Sequence, residues 1–171
     1  GPLRPTSSGI VDQKKRLLFR GSVGSDYGKR LRWQAETHLA RLFEPSVVTR
    51  NQLLDARVEE YESVSNDSTD VLHEYFVPPD RFVPFVARLR TAVRRSGADL
   101  LNVTVREVER DDVSFLRYAD RRLLALVCLF NQRRTPEAEA KAHALTRELI
   151  DGVLSEGGRY YLPYRLHATT E

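Results

Sequence analysis

The chain has 171 residues, of which 41% are hydrophobic and 30% are charged, and this balance excludes a wholly disordered protein. Its 27 basic and 24 acidic residues give a net charge of +3, too weak a field to favour nucleic acid as a partner. No apolar run approaches the roughly 18 residues that cross a bilayer, so we expect no membrane segment.

The start of the chain and its cysteine content give expectations about the parent protein and its cellular compartment. The sequence has no Met and begins Gly-Pro-Leu, which indicates a segment cut from a longer protein or a remnant of an expression tag, with a processed secretory protein as the alternative. Cys128 lies alone in an apolar run, which predicts a buried, inert thiol. A single cysteine cannot form an internal disulfide, and this favours a cytoplasmic protein.

The N-terminal part is predicted to be an extension rather than a domain. Residues 1–25 are rich in Gly, Pro and Ser and read as a flexible leader, with a short strand at 17–20. Residues 26–69 are predicted to form a helical extension and a loop. Asp26 is the predicted cap of the helix, which Pro45 ends.

Residues 70–171 show a regular alternation of strand and helix patterns. Strands are predicted at 70–77, 101–108, 123–130 and 159–166, and the two helices run from Asp80 to Gly97 and from Thr135 to Gly157. The order β-α-β-β-α-β predicts a ferredoxin-like α+β domain, a four-stranded antiparallel sheet with both helices on one face.

The helix-free face of this sheet is the most informative surface. In the second strand Asn102, Thr104 and Arg106 share one face, while the alternate residues Leu101, Val103 and Val105 are expected to meet the helices. The third strand is apolar on both faces. Because monomers seldom expose such a patch, we expect the helix-free face to be covered by something else.

No other pattern in the chain predicts a complete reactive site. The histidines are scattered without the spacing of metal ligands, so no metal site is expected. Neither the serines nor the cysteine has a recognisable histidine or acidic companion for nucleophilic catalysis.

Several motifs resemble one family of flavoenzymes. Residues 74–78, Glu-Tyr-Phe-Val-Pro, followed by Phe82, resemble the "EYxxP" strand-to-helix step of alditol and aldonolactone oxidases, which are FAD-linked oxidases of the vanillyl-alcohol-oxidase, or PCMH, type. The strand 102–106 and the segment from Gly157 to Thr169 are similar to other parts of that family. The resemblance runs from about Tyr27 onward.

This resemblance implies a substrate-binding, or cap, domain, which covers the flavin ring of an FAD held by a separate FAD-binding domain. The parent protein would be an oxidoreductase that oxidises a sugar-, polyol- or lactone-like alcohol, and this fragment alone would not be catalytically complete. Arg106 matches the family arginine that contacts substrate and flavin, and it is the implied catalytic residue. Thr104 stands where relatives often have Glu.

The remaining candidate contacts with substrate follow from strand parity. Asn102 and Thr104 are placed to bind hydroxyl groups, and Glu74 is predicted either to pair with an arginine or to contact substrate. Near the end of the chain Pro163 leaves the parity open. The pocket edge is formed either by Tyr160, Leu162 and Tyr164 or by Tyr161, Arg165 and His167, and from these we select Tyr161, Tyr164 and His167 as candidates.

An alternative function fits the same helix-free face. A free-standing ferredoxin-like module without catalysis would use that face to bind a ligand or to pair with a second copy as a dimer.

Overall fold

The computed structural model describes residues 16–39, 63, 65–115 and 117–169. The chain divides into two compact units, residues 1–64 and 65–171. Residues 1–15 of the predicted leader, Pro45 and most of the predicted loop lie outside the described residues.

The first unit is helical where it is described. Residues 16–20 form helix, so the predicted short strand at 17–20 is wrong, because a brief apolar run has no periodicity that separates strand from helix. Helix α1, Asp26–Gln34, continues into a wider turn at Ala35–Leu39. Its cap is Ser25 rather than Asp26, since the Ser25 hydroxyl accepts from the Gly28 amide at 3.0 Å.

Arg32 is the buried residue of helix α1. Its guanidinium lies 4.8 Å from the centre of the Phe19 ring, donates to Ser22 Oγ at 3.2 Å and pairs with Glu36 at 3.1 Å. A Cβ on Gly28 would lie 2.2 Å from the Gly21 carbonyl oxygen, so this close approach requires glycine. The unit is therefore held partly by a charged network.

The second unit contains four strands and two long helices. In chain order they are β1 Ser68–Val77, α2 Phe82–Ser96, β2 Asp99–Val108, β3 Leu123–Arg133, α3 Pro136–Ser155 and β4 Arg159–Tyr161. All strand pairs are antiparallel in the order β2-β3-β1-β4, so β2 and β4 are the edges. This topology confirms the predicted ferredoxin-like α+β fold.

The ends of the elements follow the local chemistry. Thr135 caps α3 as predicted, accepting from the Ala138 amide at 3.2 Å, and Gly97 ends α2 with φ of 67°. Asp80 is not the cap of α2, because Pro79–Arg81 forms a separate 3-10 turn before the helix. Strand β4 stops at Tyr161, not at 166 as predicted, shortly before Pro163, which has no amide to donate.

The main core lies between the two helices and one face of the sheet. Its fully buried centre includes Tyr75, Phe85 and Leu149, and the rings of Tyr75 and Phe85 are 5.6 Å apart. The opposite face of the sheet carries neither helix, and we call it the open face. Within the described part of the chain no helix is long and apolar enough to cross a membrane.

Candidate binding site on the open face of the sheet

Strand register decides which side chains occupy the open face. Tyr75, Leu126 and Cys128 belong to the core under the helices, so their neighbours along each strand point the other way. Asn102, Thr104 and Arg106 pair with Leu129, Val127 and Ala125 of β3, which have that opposite parity. The prediction that Asn102, Thr104 and Arg106 point away from the helices is therefore confirmed.

The register of β2 is interrupted just before this row. A bulge between Leu100 and Asn102 leaves Leu101 without a place in the regular pairing. Leu100 packs against the helix-side core together with Val103, although the two are three residues apart. The predicted alternation thus holds from Asn102 to Arg106 but does not extend back through Leu101.

The side chain of Arg106 differs from those of Asn102 and Thr104 in its hydrogen bonding. Arg106 is exposed, and within the described part of the chain its side chain forms no hydrogen bond or ion pair. Asn102 and Thr104 are joined, because Asn102 Nδ2 donates to Thr104 Oγ1 at 3.1 Å. A ligand on this face would therefore meet an available guanidinium beside a pre-formed amide–hydroxyl pair.

Glu74 lies on the open face of β1, opposite Val127 on one side and Tyr161 on the other. It is half-buried, yet the predicted ion pair with an arginine is not found within the described part of the chain. No described arginine reaches Glu74, so both alternatives, an ion pair with an arginine and a contact with substrate, stay predictions. Among the described residues nothing occupies its carboxylate, which is open to a ligand there.

The loop between β2 and β3 covers the part of the open face around Phe76. Ala119 is buried in a small apolar cluster with Phe76, Leu123 and Ala125, and the Tyr118 ring lies 5.0 Å from the Phe76 ring. Sequence patterning missed this cover because Ala119 sits in a polar, charged segment. The chain itself therefore fills part of the surface that we expected an external partner to cover.

A cavity of about 630 Å³ lies beside the edge strand β4. It is lined by four aromatic side chains, Phe76, Tyr118, Tyr160 and Tyr161. The other lining residues are Glu74, Leu154 and Arg159. The structure thus brings the predicted residues Glu74 and Tyr161 together, and a mixed aromatic and charged lining of this size is typical of small-molecule sites.

The last two predicted contacts lie elsewhere. Tyr164 follows β4 and is exposed, and it does not line the cavity. His167 is buried against α3, where its ring nitrogens lie 3.2 Å from Thr146 Oγ1 and 2.9 Å from a Glu139 carboxylate oxygen. The structure does not bring His167 to the open face, because the chain leaves the sheet after Tyr161 and crosses to the helix side.

His167 belongs to a polar cluster on the helix side of the sheet. His73 is buried there, 3.2 Å from the Tyr75 hydroxyl, and burial, aided by His167, lowers the pKa of His73 to about 4. Hydrogen bonds from His167 and then Gln132 hold the pKa of Glu139 below its ordinary value. No group of three or more metal-ligating side chains occurs among the described residues.

Cys128 has the inert environment that its sequence context predicted. It is fully buried, and burial raises the pKa of its thiol to about 12. We expect the folded protein to resist labelling by dithionitrobenzoate and the urea-unfolded protein to take up one equivalent, measured by absorbance. Full labelling of the folded protein would contradict this burial.

Comparisons with known proteins add little to this geometry. No protein-family model matches the chain, and no curated protein gives a significant match. Among solved structures the chain is similar to a C-terminal segment of the alpha subunit of aIF2 from Pyrococcus abyssi. The two share 16% identity over 92% of this chain and 96% of that one, with a TM-score of 0.33, which carries no argument about function.

Proposed function

We propose that residues 65–169 act by binding rather than by catalysis of their own, as the cap domain of an FAD-dependent oxidoreductase. In this proposal the open face covers the flavin ring held by a separate FAD-binding domain. The substrate is an alcohol of the sugar, polyol or lactone type, bound between the two.

The observation that carries the proposal is the row Asn102, Thr104 and Arg106 on the open face, with Arg106 exposed and unpaired in the described part of the chain. A guanidinium favours negative charge on a substrate oxygen or on a reduced flavin. An amide–hydroxyl pair beside it suits substrate hydroxyls. The flavin itself is supported only by the resemblance of the sequence motifs to the FAD-linked oxidases.

FAD, when bound, would accept the hydride from the alcohol carbon. The residues of this chain would orient the substrate and stabilise charge, with Arg106 supplying the positive charge and Thr104 and Asn102 holding hydroxyl groups.

The test uses the full-length product of the gene, with the flanking sequence that this chain would need. We expect a yellow protein whose flavin is reduced by sugar alcohols or lactols under anaerobic conditions. Arg106→Ala should slow that reduction by about 100-fold, the loss typical of removing one charge-stabilising donor. Arg90→Ala, an exposed arginine on α2, is the matched control and should leave the rate unchanged. A well-folded, colourless product would overturn the proposal.

A second candidate is a free-standing binding or dimerisation module. It is favoured by the loop residues Tyr118 and Ala119, which already pack over part of the open face and reduce the area left for a flavin. Sedimentation distinguishes the two candidates. A stable dimer that Thr104→Arg disrupts would support the module, because the substitution places a large charge on the open face, on the edge strand β2.

A further inference from the structure

The cavity beside β4 has an aromatic and acidic lining that the Arg106-based flavin proposal does not require. Its aromatic lining comes from β1, β4 and the loop before β3, and the rings of Phe76 and Tyr118 are in contact at 5.0 Å. The faces of such rings carry negative electrostatic potential, which attracts a cation placed over them.

Of the two charged residues that line the cavity, Arg159 has an ion-pair partner among the described residues and Glu74 does not. Arg159 donates to Asp120 at 2.7 Å, so its charge is already neutralised within the protein. Glu74 is half-buried and directly opposite Tyr161, and its carboxylate has no hydrogen-bond or ion-pair partner in the described part of the chain. The charge left uncompensated at the cavity is therefore a carboxylate next to aromatic rings.

We propose that this cavity binds an organic ammonium ion, with Glu74 as the counter-ion and the rings of Tyr161, Tyr118 and Phe76 packed around the alkyl groups on nitrogen. A carboxylate whose partner is missing favours a cationic ligand over a neutral or anionic one. The volume of about 630 Å³ suits a small molecule rather than a metal ion.

The test compares choline with its neutral carbon isostere, 3,3-dimethylbutan-1-ol, by calorimetric or NMR titration of this chain. The two molecules have the same shape, so a difference in affinity reports the positive charge. We expect choline to bind at least about tenfold more tightly, in keeping with a cation held by aromatic rings and a carboxylate. Equal affinities, or no binding of choline, would overturn the proposal.

Variants assign the binding to this cavity. Glu74→Gln should weaken choline binding about tenfold and leave binding of the neutral alcohol unchanged, since only the counter-charge is removed. Tyr161→Leu should weaken choline binding, whereas Tyr161→Phe should retain it because the ring persists. Asp151→Asn, which removes an exposed carboxylate on α3, is the control and should bind choline normally. Choline affinity that is unaffected by Glu74→Gln contradicts the proposal.

This inference is independent of the proposed function. The titration needs no flavin and no FAD-binding domain, and the flavin test depends on Arg106 on β2, at the opposite edge of the sheet from β4. Either proposal therefore stands or fails without the other.

Discussion

Replacing Gly158 with Ala is expected to lower the free energy of unfolding of the sheet domain by about 3 kcal/mol or more. A Cβ at this position would lie 2.3 Å from the Phe76 carbonyl oxygen and 2.7 Å from Val153 Cγ2. The Gly158 amide also donates to the Val153 carbonyl at 2.8 Å, so the residue is held against both α3 and β1. The backbones of α3 and β1 cannot move away from the added Cβ without disturbing the pairing of β4 with β1.

Gly97→Ala is the matched control for this prediction. Gly97 ends α2 with φ of 67°, but nothing lies within 4 Å of the point that an alanine Cβ would occupy, so the cost comes only from backbone conformation. We expect a loss of about 1 kcal/mol at Gly97, measured by urea unfolding followed by circular dichroism. Equal losses at the two positions would show that close packing at Gly158 is not what fixes β4.

The stability of the same domain is expected to fall as the pH is lowered from 6.5 to 4, because of His73. The folded protein holds the pKa of His73 at about 4, against 6.5 for the free side chain. In this window the unfolded chain binds a proton that the folded chain does not, so acidification favours unfolding. The full effect is about 3 kcal/mol, and it is complete below pH 4.

Variants separate His73 from other acid-sensitive groups. His73→Gln should remove most of the pH dependence between 6.5 and 4, whereas His143→Gln, at an exposed histidine of α3, should preserve it. Glu139 adds its own loss only below its ordinary pKa of 4.5, since its folded pKa is depressed. The measurement is urea unfolding at a series of pH values. An unchanged slope in His73→Gln would contradict the assignment.

Local chemistry was sufficient to predict the order of the elements in the second unit. Helix caps such as Thr135, stop signals such as Gly97 and the period-two pattern of 102–106 act within a few residues. For this reason the ferredoxin-like order and the outward face of Arg106 could be read from the sequence. The bulge at Leu101 could not, because it depends on how β3 pairs with β2.

The parts of the site that sequence reasoning missed depend on contacts between distant segments. Tyr118 reaches Phe76 from a loop far along the chain, and no pattern around Tyr118 indicates this contact. His167 was assigned by parity to a strand that ends at Tyr161. Beyond the end of a strand, the two-residue alternation of side chains does not predict which side of the sheet a residue occupies.

The charged edge strand β2 has a consequence for self-association. Its exposed residues include Arg106 and Glu107 on opposite faces, and Glu107 forms an ion pair with Arg122, the residue before β3. A foreign strand that hydrogen-bonded along this edge would have to strip water from these charges, which is how natural sheets discourage aggregation. Fibrillar or ladder-like stacking through β2 is therefore suppressed by the sequence itself.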